Sequence, residues 1–201
     1  MKVYRWNQTD ETAAALQNHA ILVFPTDTVY GVGVRYGDLK DLERLRNIKH
    51  RPETKPIPVM CSGPEQVRQI VVVDERAERI MKKLLPGPLT LILPLREDVD
   101  PAWVNGQKTA AIRIPGHEGV LAMIEKCGAP CMVSSANVSG EPAALTLEQA
   151  MAALPSADGF IDGACQEGQA STIADLCSDE IRILRPGPVS LEEIVRAAQA
   201  E

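Results

Sequence analysis

The stretch AILVFPTDTVYGVG, residues 20–33, joins two apolar runs through a polar turn and indicates the class of fold. The β-branched run AILVFP predicts a buried strand that ends at Pro25, and TDTVYGVG predicts a polar loop that leads into a second strand. On either side the pattern is helical. TDETAAALQNH, residues 9–19, predicts a helix with Thr9 or Asp10 at its N-cap, and DLKDLERLRNIKH, residues 38–50, has apolar residues at three-residue steps. Helices and strands therefore alternate around this stretch, which is typical of an α/β fold.

The rest of the chain continues this alternation. Strands are predicted in IPVMC (57–61), PGPLTLILPL (86–95, after a turn), TAAIRIPG (109–116), APCMVSSAN (129–137), STIADL (171–176) and IRILRPG (181–187). Helices are predicted in PEQVRQIV (64–71), DERAERIMKKLL (74–85), TLEQAMAAL (146–154) and SLEEIVRAAQA (190–200), where Ser190 and Glu193 match a capping box. GEPAALT (140–146) and GACQEGQA (163–170) are predicted surface loops. We expect residues 1–201 to form a single α/β domain, an open, twisted, mixed sheet with flanking helices.

The composition limits the function classes. Lys and Arg total 21 against 27 Asp and Glu, which gives a net charge of −6, and aromatic residues make up only 3%. General nucleic-acid binders usually carry a basic excess, and single-strand binders use aromatic stacking platforms. The five cysteines form no CxxC pair, so we interpret them as reduced thiols of a cytoplasmic protein. The N-terminus lacks a signal-peptide pattern, and no apolar run approaches the roughly 20 residues of a membrane helix.

Polar side chains follow several of the predicted strands. Thr26, Asp27 and Thr28 follow the first strand, and SSANVSG (134–140) follows APCMV. Taken alone, the first turn is better explained as an ordinary hydrogen-bonded turn between strands, and the second is explained equally well in that way. In α/β folds, however, ligands bind where strand ends meet loops, so these turns can converge on one site. Neither turn contains a Walker motif or a GxGxxG dinucleotide loop.

The sequence KHRPETKP, residues 49–56, gathers positive charge between stiffening prolines in a chain that is acidic overall. Lys49 and Arg51 follow a helix, where positive charge is favourable for structural reasons alone, but this does not explain Lys55. Arg113 and Arg185 each lie in an apolar strand and need an anionic partner, either an internal carboxylate or a ligand. Together with the hydroxyl-rich turns, these cations favour a pocket for a polyanion.

Seven motifs occur in the order found in the threonylcarbamoyl-AMP synthases of the YrdC/TsaC type, and the chain resembles that family over nearly its whole length. They are FPTDTVYGVG, KHRPETKP, LLPGPLTLILP, AAIRIPGH, VSSANVSG, STIADL and ILRPGP. The resemblance implies a YrdC-like fold with a basic concave cavity. It also implies a nucleotidyltransferase reaction, in which L-threonine, bicarbonate and ATP form threonylcarbamoyl-adenylate and pyrophosphate. The product serves the threonylcarbamoyladenosine modification next to the anticodon of tRNA.

The resemblance also implies roles for individual residues. The K-x-R and S-x-N signatures correspond to four residues with catalytic roles: Lys49, Arg51, Ser135 and Asn137. The same four bind ATP together with three more residues: Lys55, Ser134 and Arg185. L-Threonine is held by four residues: Thr26, Thr28, Arg113 and Ser171. Mg²⁺ binds through the ATP phosphates, with no metal ligands from side chains. The implied partners are separate tRNA-modification proteins that transfer the threonylcarbamoyl group, with weak RNA binding as an open point and no membrane contact.

Three features depart from the family pattern. Asp27 stands where the family commonly has Glu, His117 is followed by Glu118 where many members have HP, and the chain resembles the short family form without a further C-terminal domain. Two alternatives remain at the level of sequence. One is related carbamoyl-adenylate chemistry, as in hydrogenase-maturation carbamoyltransferases. The other is an RNA-binding or inactive paralogue with the same fold.

Overall fold

The computed structural model describes residues 2–52 and 55–200, so Glu53 and Thr54 of KHRPETKP lie outside the described residues. The strands are β1 Lys2–Tyr4, β2 Leu22–Pro25, β3 Tyr30–Arg35, β4 Val59–Met60, β5 Leu89–Pro94, β6 Thr109–Arg113, β7 Cys131–Ser135, β8 Gly159–Ile161, β9 Thr172–Asp175 and β10 Arg182–Arg185. The helices are α1 Thr9–Gln17, α2 Leu39–Ile48, α3 Pro64–Arg68, α4 Glu75–Leu84, α5 Glu118–Cys127, α6 Leu147–Ala153 and α7 Leu191–Gln199. Short 3-10 turns cover Trp6–Gln8 and Pro101–Val104.

All ten strands of the described residues belong to one mixed sheet. Their order is β1-β8-β2-β3-β7-β4-β6-β5-β9-β10. The pairs β1–β8, β8–β2, β4–β6 and β5–β9 are parallel, and the remaining neighbours are antiparallel. The predicted mixed α/β sheet with flanking helices is confirmed. The order also means that strands far apart in sequence, such as β3 and β7, become neighbours.

Strand β2 is buried on both of its faces, which explains its continuous apolar run. Leu22 and Phe24 pack into one cluster with α1 and α5, while Val23 packs into the larger cluster that includes α2, α4 and α7. Side chains alternate across a strand, so each face of β2 contributes to a different core. Complete burial of each such side chain is worth about 1.5–3 kcal/mol.

The two strands predicted on either side of the polar turn, and helix α2, agree well with the structure. Strand β2 ends at Pro25, β3 pairs with it antiparallel, and Asp38 caps α2 by accepting a hydrogen bond from the Lys40 amide at 2.8 Å. The capping box of α7 is confirmed, because the Ser190 hydroxyl accepts from the Glu193 amide at 3.2 Å and the Glu193 carboxylate accepts from the Ser190 amide at 2.8 Å.

Other local predictions were wrong. Helix α1 begins at Thr9 with Gln8 at its N-cap, because the preceding 3-10 turn runs directly into the helix and Thr9 Oγ1 donates to the Trp6 carbonyl at 2.7 Å. Strands β1 and β8 and helix α5 were not predicted. The two strands have three residues each, too short for a periodic pattern, and their parallel pairing is a long-range contact.

Among the described residues, no helix is both long and apolar enough to cross a membrane.

Candidate functional site

A cavity of about 260 Å³ is lined by residues of the central strands and of the turns at their ends. Eight of the eleven residues singled out from the sequence line it: Thr26, Thr28, Arg51, Arg113, Ser134, Ser135, Ser171 and Arg185. Apolar side chains from the central strands, including Met60, Ile92 and Val133, form its floor. No carboxylate lines the cavity in the described part of the chain, so its polar lining consists of cations, hydroxyls and backbone groups.

The sheet topology explains why these residues meet. Strand β3 pairs antiparallel with β7, which sets Gly31 opposite Ser135 and brings the turn before β3 next to the turn after β7. A Cβ at position 31 would meet Val133 Cγ1 at 3.0 Å, so glycine lets these strands approach without displacing that side chain. On the other side, β6 places Arg113 beside β5 and β4. The polar turns therefore gather at the middle of the sheet, where α/β folds bind ligands.

Arg113 lies at one end of the cavity in a buried ion pair. Its Nη2 donates to Asp27 Oδ1 at 2.6 Å, and the two side chains are only 8% and 5% exposed. Nη1 donates to Thr28 Oγ1 at 2.9 Å, and Nε donates to the Gly87 carbonyl at 3.3 Å. Burial lowers the pKa of Arg113, and the Asp27 carboxylate opposes this shift. The sequence left two explanations for Arg113, an internal carboxylate partner or a place in a binding cavity. In the structure Arg113 has both.

The two threonines of the first polar turn differ in their free hydrogen-bonding capacity. Thr26 Oγ1 donates to the Val29 carbonyl at 2.7 Å and accepts from the Thr28 amide at 3.1 Å. Its one proton is thus in use, so the Thr28 hydroxyl is the donor in the 2.9 Å contact between the two hydroxyls. Thr26 is therefore saturated, and Thr28 keeps one lone pair that can accept from a ligand.

Ser171 and Arg185 meet in the same part of the cavity. Arg185 Nη2 donates to Ser171 Oγ at 3.1 Å, and Nε donates to the Ser171 carbonyl at 3.0 Å. Ser171 Oγ also contacts Thr90 Oγ1 at 2.8 Å. Burial and the positive charge of Arg113 lower the pKa of Arg185. Thr90 was missed in the sequence, although a hydroxyl within the apolar run PLTLILPL was a usable signal.

Arg51 lies at another part of the cavity, beside the turn that follows β7. Nη2 donates to the Pro56 carbonyl at 2.8 Å and Nε to the Lys55 carbonyl at 3.2 Å, and Nη1 is 3.5 Å from Ser134 Oγ. Burial, and secondarily Arg46, lower the pKa of Arg51. The guanidinium is thus anchored by backbone carbonyls while it lines the cavity.

Lys49 and Asn137 do not line the cavity; they lie behind Ser135. Lys49 is 1% exposed, and its Nζ donates to the Asn137 carbonyl at 2.6 Å, to Asn137 Oδ1 at 3.3 Å and to the Ser135 carbonyl. Ser135 Oγ donates to Asn137 Oδ1 at 2.6 Å. Burial, with a smaller effect of Arg51, lowers the pKa of Lys49 to about 7. In this arrangement Lys49 and Asn137 shape the turn that presents Ser134 and Ser135.

Lys55 is exposed and does not line the cavity among the described residues, so the structure does not bring it to the other cations. The remaining group of metal-ligating side chains in the described ranges, His19, Asp38 and Asp41, lies outside the cavity lining. His19 Nδ1 is 2.7 Å from Asp41 Oδ2, and Arg44 contacts the other Asp41 oxygen at 3.2 Å. We interpret this group as a contact that joins α1 to α2.

Comparisons with known proteins agree with the fold and with the motifs. The family model Sua5_yciO_yrdC, described as telomere recombination, matches residues 14–187. The chain is 35% identical to a threonylcarbamoyl-AMP synthase of Bacillus subtilis, over 96% of this chain and 61% of the relative. It therefore spans less than two thirds of that relative's length.

Two solved structures are similar to the chain. The crystal structure of Pyrococcus abyssi Sua5 complexed with L-threonine has a TM-score of 0.91 at 32% identity and covers 98% of this chain and 60% of that one. The crystal structure of Escherichia coli YciO has a TM-score of 0.88 at 22% identity and covers 96% of this chain and 100% of that one. At that identity, the likeness to YciO concerns the fold alone.

Proposed function

The chain belongs to the Sua5/YciO/YrdC family, and from this premise we propose that it is a threonylcarbamoyl-AMP synthase. It would join L-threonine, bicarbonate and ATP into threonylcarbamoyl-adenylate, with release of pyrophosphate. The observation that carries the proposal is one cavity that combines a carboxylate-pairing arginine, Arg113, with a second end formed by the cation Arg51 and the hydroxyl of Ser134. The Bacillus subtilis relative bears this activity in its name, and the Pyrococcus abyssi protein was crystallised with L-threonine.

L-Threonine would occupy the end of the cavity that Arg113 lines. The Arg113 guanidinium would bind the substrate carboxylate, because its planar donors match the two carboxylate oxygens. Thr28, with one free lone pair, and the paired hydroxyls of Ser171 and Thr90 would contact the threonine hydroxyl or amine. Arg185 donates to Ser171, so it would support this end of the cavity. Thr26 would act by fixing Thr28.

The ATP phosphates would lie along Arg51, Ser134 and Ser135, which line the cavity at the end of β7. Lys49 and Asn137 would act one step behind, by holding the carbonyls and hydroxyl of this turn in place. ATP would enter as its Mg²⁺ complex, with the metal held by phosphate oxygens. The cavity lining in the described residues offers no carboxylate as an additional ligand.

The reaction needs no nucleophile from the protein. The threonine amine attacks the carbon of bicarbonate, or of CO₂ derived from it, and loses a proton to give a carbamate; from bicarbonate, water leaves. A carbamate oxygen then attacks the α-phosphorus of ATP, and the bond to the β-phosphate oxygen breaks to release pyrophosphate. Both reactants are anionic, so Arg51 would offset their repulsion and stabilise the charge that develops on the phosphates. Most of the rate would come from holding the two substrates in line within one cavity.

We extend the proposal to the product's destination. Threonylcarbamoyl-adenylate would be consumed by partner proteins that transfer its acyl group to the adenosine next to the anticodon of tRNA. We propose the cytoplasm as the compartment, where the five free cysteines would remain reduced.

The direct test is a pyrophosphate-release assay with labelled threonine. We expect release that depends on threonine, bicarbonate and ATP together, with a labelled adenylate as product. Valine tests the pocket assignment: it lacks the hydroxyl and leaves polar groups of the site unpaired, so it should turn over much more slowly. Turnover of valine at the rate of threonine would contradict the pocket assignment, and absence of any threonine-dependent release would contradict the function. Carbamoyl phosphate in place of bicarbonate and threonine tests the alternative carbamoyl-adenylate chemistry.

A further inference from the structure

Asp27 is a buried carboxylate for which neither the proposed reaction nor the family resemblance gives a role. Its side chain does not line the cavity; it lies against Arg113, which does. Asp27 Oδ1 accepts from Arg113 Nη2 at 2.6 Å, whereas Asp27 Oδ2 is buried and has no hydrogen-bond partner among the described residues. A Cβ atom added at Gly116 would lie 3.2 Å from Asp27 Oδ2, so the backbone at Gly116 packs closely against this oxygen.

The hydrogen bonds of Arg113 show what this carboxylate does. An arginine has five N–H donors in one plane. Three contacts inside the protein engage all three nitrogens: Nε with the Gly87 carbonyl, Nη1 with Thr28 Oγ1 and Nη2 with Asp27 Oδ1. Within the described residues, one N–H on each terminal nitrogen is left for a ligand. The guanidinium is therefore fixed in orientation before a ligand arrives.

The cavity must also separate two kinds of anion. Under the proposed function it holds a single carboxylate and a triphosphate at the same time, and arginine binds both. An unpaired Arg113 would attract the more highly charged phosphate chain. The ion pair of Arg113 and Asp27 has no net charge. The two remaining N–H donors of Arg113 can still bind a carboxylate. Arg51, at the other end of the cavity, has no carboxylate within salt-bridge distance in the described residues and keeps its positive charge. Arg185, at the amino-acid end, already donates to both oxygens of Ser171.

We propose that Asp27 is a positioning residue that orients Arg113 for the amino-acid carboxylate and, by neutralising it, excludes phosphate from the amino-acid end of the cavity. This inference rests on the proposed function and deepens it. Asp27 touches neither substrate; it acts through Arg113. As a result, the carboxylate of the amino acid binds at Arg113 and the phosphates bind at Arg51.

The test compares the wild type with Asp27→Asn and Asp27→Glu. The matched control is Glu167→Gln. Glu167 has an exposed carboxylate, and its backbone amide donates to the Asp27 carbonyl at 3.0 Å. Calorimetry measures the affinity for L-threonine, for L-threonine amide, which lacks the carboxylate, and for ATP. Each threonine titration is repeated with pyrophosphate present. All proteins are compared below their melting temperatures.

For Asp27→Asn we expect the affinity for threonine to fall about ten- to a hundredfold, because Arg113 would no longer be held in the orientation that makes a charge-assisted contact with the substrate carboxylate. Affinity for the amide should change much less, and pyrophosphate should become a competitor of threonine, which it is not in the wild type. Asp27→Glu should keep the preference for threonine over its amide and show no such competition. Glu167→Gln should behave as the wild type in every titration.

Equal losses for threonine and its amide, or a pyrophosphate effect that does not differ between Asp27→Asn and the wild type, overturn the inference. If Asp27→Asn does not fold, Asp27→Glu decides: loss of its carboxylate preference, or competition by pyrophosphate, overturns it. Threonine-dependent pyrophosphate release by the wild type combined with unchanged threonine affinity in a folded Asp27→Asn overturns this inference and leaves the proposed function standing. A wild type that neither binds threonine nor releases pyrophosphate overturns both.

Discussion

At the scale of single residues, identity was easier to predict than orientation. Eight of the residues chosen from the sequence line one cavity. The polar turns and the arginines in apolar strands pointed to most of them, and the family resemblance supplied Ser171 and the individual roles. The side to which the Lys49 side chain points could not be predicted. Whether its ammonium faces the cavity or the turn behind Ser135 depends on the contact between α2 and the end of β7, which are 86 residues apart in sequence. Thr26 was likewise expected to contact the ligand, but its hydroxyl is saturated by the turn itself.

Arg51 gives the first prediction at this scale. If it binds phosphate, Arg51→Ala should leave the fold nearly intact and weaken ATP binding by about 1.5–3 kcal/mol, the worth of a charge-assisted contact. Arg51→Lys should recover only part of this, because the planar fork is lost. An ATP titration, a pyrophosphate-release rate and a thermal melt for each variant provide the measurement. Normal ATP affinity and rate in Arg51→Ala would reduce this residue to a favourable charge at a helix end.

Lys49 gives a prediction about pH. Its pKa falls from 10.5 to about 7 in the folded protein through burial and the nearby Arg51. Below pH 7 the lysine is protonated in both states, and the cost of burying its charge is fully present. Between pH 7 and 10.5 the unfolded state binds more protons than the folded state, so stability rises with pH. The melting temperature of the wild type relative to Lys49→Met should therefore increase from about pH 6.5 to about pH 9.5. A difference that stays constant with pH, or falls, would contradict this assignment.

At the scale of elements, the sequence predicts those with strong local patterns and misses those that depend on partners. Helix α2 has a cap and regular apolar spacing, and β2 with β3 forms a hairpin whose apolar residues fill both cores. Strands β1 and β8 exist because they pair with each other and with β2, which no local pattern reports. Helix α5 has a clear end at Gly128, whose φ of 73° suits glycine, but Gly119 and the adjoining strand signals obscure its beginning.

The junction between α5 and β7 provides an element-scale prediction about the cysteines. Cys127 ends α5 and Cys131 begins β7, both are buried, and neither lines the cavity. Contact with Cys131 and the nearby Arg35 lower the pKa of Cys127 to about 7, whereas Cys127 and burial raise that of Cys131. We expect Cys127→Ala and Cys131→Ala to lower stability by about 1–2 kcal/mol each and to leave the reaction rate unchanged. Denaturant unfolding and a rate assay on the folded double variant test this. A stable double variant without activity would show that the thiols take part in the chemistry.

At the scale of the whole molecule, the sheet brings positive charges together in one cavity, although the chain as a whole is acidic. The chain carries a net charge of −6, yet Arg51, Arg113 and Arg185 line one cavity that contains no carboxylate among the described residues. The order of the strands produces this separation, because it brings together turns from residues 26 to 185. A basic site on an acidic protein favours a small anion over a long polyanion, since the surrounding surface repels the latter. The net charge therefore argued against a long polyanion as ligand, but it indicated neither the cationic site nor its location.

This charge separation predicts different salt dependences for the two substrates. ATP is a polyanion that would rest on Arg51 without a neutralising carboxylate among the described residues, whereas threonine is a zwitterion that would meet the neutral pair of Arg113 and Asp27. Raising NaCl from about 0.05 M to about 0.5 M shortens the Debye length and screens the first interaction much more than the second. ATP affinity should therefore fall severalfold over this range while threonine affinity changes little, as measured by calorimetry on the same protein. In Asp27→Asn the threonine titration should become more sensitive to salt, since anions then compete for Arg113, whereas Glu167→Gln should retain the wild-type response. Equal salt dependence of both substrates in the wild type would mean that the two ends of the cavity are not electrostatically distinct.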